Sequence, residues 1–144
     1  MVEDDEQLYR RVIPGHFKTV DGKVRFGSQA FADRSKQPSV DRAKLCDFNP
    51  AVTQKSPANG VVCVVASSVR GIDPIPQKVE AAKVVMCSAD VIEAPLRATL
   101  TAAANSAHAL IVTIPSIESG SAFKRLLEAL SALADKAGWT LPPA

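Results

Sequence analysis

Apolar positions recur every three or four residues near the end of the chain and predict a long C-terminal helix. This stripe comprises Phe123, Leu126, Leu127, Leu130, Leu133, Ala134 and Ala137. That spacing places all of its members on one helical face. Ser119 or Ser121 can cap the start of the helix, and Gly138 can end it. The helix therefore requires an apolar surface on which to bury its stripe.

Three apolar, β-branched runs predict the strands that supply this surface. They span residues 61–66, 83–92 and 108–114. Such runs are typical of buried strands. Asp21-Gly22 lies between valine-containing segments and predicts a hairpin with strands near 17–20 and 23–26, because both residues tolerate positive φ. The expected fold class is α+β: a small mixed or antiparallel sheet with helices packed on one face and a long C-terminal helix.

Shorter segments complete the predicted fold. Residues 8–13 form a strand or one helical turn that ends at Pro14-Gly15, and residues 39–42 form a brief strand. Residues 94–105 predict a second helix, because Pro95 suits the first helical position and Asn105 can end it in a left-handed cap. Residues 1–7 are expected to be a frayed terminus.

The composition indicates a single globular domain covering residues 1–144. Hydrophobic residues make up 47% of the chain and charged residues 22%, which is enough for an ordinary core. The three cysteines, Cys46, Cys63 and Cys87, form no CxxC pair, so their spacing excludes a zinc ribbon or a redox motif. Their odd number indicates reduced thiols. With no signal peptide and no apolar run of membrane-spanning length, the sequence predicts a cytoplasmic protein that does not enter a membrane.

Charge is unevenly distributed along the chain. The net charge is +2, but residues 8–46 hold nine Lys and Arg against three Asp, a local excess of +6. Such a segment could contact nucleic acid through phosphates. Aromatic residues are only 5% of the chain, so few are available to stack on bases.

Seven polar residues near predicted strand ends are candidate ligand-binding residues. They are Tyr9, Arg10, His16, Ser39, Asp41, Arg42 and His108. Guanidinium groups bind phosphates bidentately, and the two histidines could form an acid–base or metal site with Asp41 if the fold brings them together. The structural alternatives are a strand-edge histidine without function, Asp41 and Arg42 holding a loop through an ion pair or a turn, and arginines that are simply solvated. No glycine-rich phosphate loop and no GxSxG elbow is present, so the sequence assigns no catalytic residue, metal ligand or cofactor.

Four short sequence segments, in this order, resemble those of a group of small uncharacterised bacterial proteins. They are Leu8-Tyr9-Arg10-Arg11, Ser28-Gln29-Ala30-Phe31, Ser39-Val40-Asp41-Arg42 and Ala107-His108-Ala109-Leu110. The resemblance covers most of the chain and implies no activity, although proteins of this kind often travel on mobile elements. This sequence departs from the pattern at Ile13-Pro14-Gly15, where a His-Pro pair is expected, and in residues 94–105 and the terminal helix.

Two functional hypotheses follow. The first is a small non-enzymatic binding or accessory protein, with a protein partner, self-association, or nucleic acid contacted through residues 8–46. The second is a small enzyme or binding protein that acts on a phosphate-bearing or nucleotide ligand. The Tyr-Arg opening followed by a serine-containing strand is also similar to ADP-ribosyl-transfer domains, but no catalytic glutamate can be identified. The absence of a catalytic motif favours the first hypothesis.

Overall fold

The computed structural model describes residues 1–144 and contains nine strands and three α-helices. The strands are β1 (Gln7–Val12), β2 (Phe17–Val20), β3 (Lys23–Phe26), β4 (Ser39–Arg42), β5 (Gly60–Val65), β6 (Ile75–Lys78), β7 (Val84–Glu93), β8 (His108–Ile114) and β9 (Trp139–Leu141). The helices are α1 (Ala51–Gln54), α2 (Ala66–Arg70) and α3 (Gly120–Ala137), and short 3₁₀ turns cover Ser28–Phe31, Ala43–Cys46 and Glu80–Ala82.

Seven strands form one antiparallel sheet, in the order β6-β7-β8-β4-β1-β5-β9. Strands β2 and β3 form a separate hairpin at the predicted Asp21-Gly22 turn. Helix α2 follows β5 near one edge of the sheet but contacts β7 near the other, so the sheet is strongly curled. The predicted α+β class is confirmed. Of the two sheet types that the sequence left open, mixed and antiparallel, the structure has the antiparallel one.

Helix α3 covers one face of the sheet, as its leucine stripe predicts. Leu126, Leu127, Leu130 and Ala134 are buried in a core cluster that also contains Leu8. The Ser119 hydroxyl accepts a hydrogen bond from the Ala122 amide at 3.2 Å and caps the helix. The opposite face carries a smaller buried cluster of Tyr9, Ala43 and Val61. None of the helices combines the length and the apolar character that a membrane crossing requires.

The predicted helix over residues 94–105 is wrong. Leu96 and Asn105 instead form an isolated antiparallel bridge, closed by a turn in which Thr99 accepts backbone hydrogen bonds. Leu96 and Leu100, the apolar positions of the expected helix, are exposed. Helix propensity alone does not maintain a short alanine-rich segment that has no core surface to cover.

Residues 1–7 differ from the frayed terminus that the sequence predicts. Val2 is 2% exposed and belongs to the main core, while Glu6 is buried against Arg42. Arg70 holds this segment as well, since it donates to the Asp4 carboxylate at 2.6 Å and to the Val2 carbonyl at 2.8 Å. Asp4 and Glu6 of the segment expected to be frayed therefore pair with arginines that lie far along the chain.

Candidate functional site

Strand register aligns four chemically distinct side chains in one row across the sheet. Cys63 of β5 is paired with Tyr9 of β1, Tyr9 with Asp41 of β4, and Asp41 with His108 of β8. Residues directly opposite each other on neighbouring strands project from the same face. This face is the one opposite α3, because Leu8, next to Tyr9, points into the main core. Three of the seven candidate residues are thus brought together by register alone.

A cleft of about 540 Å³ opens at this row. Strands β1 and β4 pair only at Leu8–Arg42 and Tyr9–Asp41, and the two strands diverge beyond that point. The polar lining residues are Tyr9, Arg10, Arg11, His16, Gln29, Asp33, Arg34, Ser39, Asp41, Thr53, Lys55, Asn105 and His108. The volume lies within the range of about 300–1,000 Å³ that is usual for small-molecule sites.

The Arg10 side chain bridges the gap between the diverging strands β1 and β4 and fixes its width. Its Nε donates to the Ala30 carbonyl at 3.0 Å, Nη2 to the Ala32 carbonyl at 2.9 Å, and Nη1 to the Ser39 carbonyl at 2.8 Å. The Ser39 hydroxyl also accepts from Nη1 at 3.3 Å. Burial lowers the pKa of this guanidinium, and no carboxylate lies within ion-pair distance of it. Arg10 therefore positions the wall of the cleft and contributes an unneutralised positive charge to it.

Asp41 is a buried carboxylate that is held by neutral donors. It is 9% exposed. Its Oδ2 accepts from the Thr53 hydroxyl at 2.7 Å, and Oδ1 accepts from the Asn105 amide at 2.9 Å. Asp41 and Arg42 do not pair with each other, because neighbouring residues of a strand point to opposite faces, and the ion pair of Arg42 is with Glu6.

His108 has a defined tautomer. Its Nδ1 lies 2.8 Å from the Ala94 carbonyl oxygen, which can only accept, so Nδ1 carries the proton. In the neutral ring this leaves the lone pair on Nε2, and the half-buried ring lines the cleft. Asp41 is its direct cross-strand neighbour, so the two side chains project from the same face of the sheet.

His16 reaches the same cleft from the loop before β2. Gly15 adopts a φ of +92°, a turn geometry that favours glycine. The backbone of His16 is fixed at both ends: its amide donates to the Ile13 carbonyl, and its carbonyl accepts from the Gly27 amide at 2.9 Å. The imidazole makes no hydrogen bond within the chain, so both ring nitrogens remain available to a ligand.

Three exposed cations line the cleft without an ion-pair partner. They are Arg11, Arg34 and Lys55. With Arg10 they make four positive side chains against two aspartates, Asp33 and Asp41, so the cleft carries +2 when both histidines are neutral. Lys55 has a φ of +67°, which a residue with a β-carbon rarely adopts. An unmatched positive charge of this kind favours an anionic ligand.

Tyr9 supplies a hydroxyl with no partner in the chain. The residue is 3% exposed, and burial raises the pKa of its phenol, with Cys63 and Cys46 adding to the effect. The phenol therefore stays protonated in the neutral range and can donate a hydrogen bond to a ligand in the cleft.

Six of the seven candidate residues line this one cleft, and Arg42 does not. Arg42 points to the other face, where Nε and Nη2 donate to the two carboxylate oxygens of Glu6 at 2.8 and 2.9 Å. Its assignment to a ligand site is corrected accordingly: Arg42 is half of a buried ion pair.

Sequence reasoning missed several cleft residues. The charge excess of residues 8–46 contains Arg34 but does not single it out, while Arg11 was considered only beside Arg10, as part of a segment whose guanidinium groups could meet phosphates. Nothing in the sequence pattern connects Thr53, Lys55 or Asn105 to the other residues, since each enters the cleft from a loop or a helix end.

Comparison with known proteins gives no assignment. No protein-family model matches the chain, and neither curated proteins nor solved structures contain a match. No group of three or more His, Cys, Asp or Glu side chains is arranged to hold a metal ion.

Proposed function

We propose that this protein binds a small phosphate-bearing ligand or nucleotide in the cleft. The observation that carries the proposal is the convergence of four cationic side chains that have no carboxylate partner. Surface cations are often solvated and need no further explanation. Here, however, Arg10 is partly buried and held by three carbonyl groups and the Ser39 hydroxyl, so its positive charge is fixed in the wall of the cleft.

Each cleft residue has a distinct part in binding. Arg11 and Arg34 offer planar guanidinium forks that match phosphate oxygens bidentately, and Lys55 offers a point charge. The Tyr9 phenol donates a hydrogen bond from the floor. Asp41 accepts two hydrogen bonds already, and its buried negative charge favours a hydroxyl or amino group of the ligand beside it over a second phosphate.

The sequence predicts a binding protein, and the partner proposed for it is a small ligand rather than a nucleic acid duplex. The basic residues of segment 8–46 do not form one continuous face. Arg42 and Lys44 are engaged with Glu6, and Arg25 lies 3.9 Å from Asp135. Those that remain unpaired include Arg11 and Arg34, which converge on the cleft. The charge distribution therefore favours a compact anion over a long nucleic acid duplex.

A titration of the wild-type protein and two lysine variants tests the proposal. Isothermal titration with adenosine monophosphate and with inorganic pyrophosphate, at low and high salt, measures Kd. Lys55→Gly removes the cleft cation at a position of positive φ, where glycine is unstrained, so folding stability is maintained or raised. A hydrogen bond to a charged group contributes about 1.5 kcal/mol or more, so the Kd should rise about tenfold.

Lys36→Gly is the matched control. Lys36 also has positive φ, +60°, but it does not line the cleft. It should bind like the wild type. The proposal fails if no phosphate compound binds to the wild type, or if Lys36→Gly weakens binding as much as Lys55→Gly does.

A further inference from the structure

The only two histidines of the chain line the same cleft, although 92 positions separate them in sequence. One ring is held in a single tautomer and the other has no partner in the chain. On this basis, and resting on the proposed phosphate binding, we propose that the cleft cleaves phosphodiesters of ribonucleosides by general acid–base catalysis. The substrate class is single-stranded RNA or a ribodinucleotide with a free 2′-hydroxyl.

His108 is the general base. The hydrogen bond from Nδ1 to the Ala94 carbonyl keeps the lone pair of the neutral ring on Nε2, and the residue lines the cleft. When Nε2 accepts a proton the ring becomes cationic. Asp41, its cross-strand neighbour, lies on the same face of the sheet.

His16 is the general acid. Its backbone is fixed by hydrogen bonds on both sides, whereas its ring is free of protein partners. The ring is also half-buried, so it stays close to the cleft while remaining accessible to solvent for proton exchange. The acid and the base come from two different segments that line the same cleft, as an in-line displacement requires when nucleophile and leaving group lie on opposite sides of phosphorus.

The cationic side chains complete the requirements of the reaction. Negative charge accumulates on the non-bridging phosphate oxygens as the new bond forms, and Arg11, Arg34 and Lys55 are unpaired donors that can stabilise it. The protonated Tyr9 phenol can donate to the same oxygens or to the ribose.

The chemical step balances without an added reactant. His108 Nε2 removes the proton of the 2′-hydroxyl, and the 2′-oxygen forms a bond to phosphorus. The bond between phosphorus and the 5′-oxygen breaks, and His16 gives its proton to that oxygen. The products are a 2′,3′-cyclic phosphate and a 5′-hydroxyl, and proton exchange with water restores both rings. Ribose is selected because it carries its nucleophile within the substrate.

A short DNA oligonucleotide with one internal ribonucleotide, carrying a fluorophore and a quencher, tests the inference with the purified full chain. Cleavage should occur at the ribonucleotide, mass spectrometry should find the cyclic phosphate, and an all-DNA oligonucleotide should remain intact. His16→Ala and His108→Ala should each lower the rate about 100-fold or more, because general acid–base catalysis contributes about that much. Added imidazole should restore part of the rate of His108→Ala.

Arg125→Ala is the control, since Arg125 is an exposed cation of α3 that lies outside the cleft, and it should cleave like the wild type. His16→Ala changes only a loop side chain, so it remains informative if His108→Ala does not fold. If phosphate ligands bind to the wild type but the ribonucleotide is not cleaved, the catalytic inference fails and the binding proposal stands. Cleavage that persists in both histidine variants, or that proceeds equally on all-DNA, also overturns the inference. Absence of phosphate binding overturns the proposed function itself.

Discussion

Replacing Glu6 with glutamine should remove a large part of the stability of this domain. The Glu6 side chain is 3% exposed and accepts two charge-assisted hydrogen bonds from Arg42, which is itself buried. Glutamine keeps the shape of the side chain but removes the negative charge. The remaining ion-pair partner of Arg42 is then Glu93, at 3.4 Å and half-exposed.

The size of the effect follows from the pKa of the carboxyl group. The hydrogen bonds from Arg42 are the main cause that lowers the pKa of Glu6 from 4.5 to about 2. Each pKa unit corresponds to about 1.4 kcal/mol, so the charged form contributes about 3 kcal/mol to folding. Direct removal of one partner of a buried ion pair costs about 3–5 kcal/mol, which agrees. Because single domains unfold with about 5–15 kcal/mol, the change is readily measured.

The same shift predicts a pH dependence with a definite sign. The pKa is lower in the folded state than in the unfolded state, so the stabilisation is complete above about pH 5 and is lost as the pH falls towards 2. Glu6→Gln should lack this part of the acid sensitivity. The two proteins should therefore approach each other in stability as the pH falls.

Urea unfolding followed by tryptophan fluorescence measures these differences. Trp139 is the only tryptophan and contacts Phe17 and Phe26 edge-to-face, at centroid distances of 4.9 and 4.8 Å, so its emission reports on the core. Glu128→Gln on the exposed side of α3 is the control, with an expected change within about 0.5 kcal/mol. Equal unfolding free energies for Glu6→Gln and the wild type at neutral pH would refute the assignment of Glu6–Arg42 as a stabilising buried pair.

Two further substitutions test the packing and the wall of the cleft. Gly60→Ala should lower the free energy of unfolding by about 1–3 kcal/mol and change the Trp139 emission, because a β-carbon at Gly60 would collide with the indole ring; unchanged stability in urea would contradict that packing. Arg10→Lys should cost about 2 kcal/mol or more, because an ammonium group cannot span the Ala30, Ala32 and Ser39 carbonyls together. A lysine variant as stable as the wild type in the same assay would mean that these carbonyls do not depend on the guanidinium fork.

Much of the secondary structure was predictable because its signals are local. The 3.6-residue period of the leucine stripe and the Ser119 cap define α3, and Asp21-Gly22 defines the β2–β3 hairpin. The helix predicted at 94–105 shows the limit of the same reasoning. Its alanines and its proline are favourable locally, but the core was already covered by α3, and the segment forms a bridged loop instead.

Several residues of the candidate site were also predictable, but their positions relative to one another were not. Polar side chains at strand ends identified Tyr9, Asp41 and His108, yet their adjacency depends on the register of β1, β4 and β8. A shift of one residue in any of these pairings would turn the side chain to the other face. Asp41 and Arg42 are such neighbours on opposite faces: Asp41 lines the cleft, and Arg42 lies in a buried ion pair.

By itself, the sequence determined the α+β class, the long amphipathic helix and the need for an apolar sheet beneath it, because hydrophobic periodicity and turn chemistry act over a few neighbouring residues. Only the tertiary structure decided which polar groups meet. The strand order, the separation of β1 from β4 and the guanidinium that spans the gap are long-range contacts. They gather two histidines and four unpaired cations from distant segments, since the energy of the sheet depends on register and burial rather than on distance along the chain.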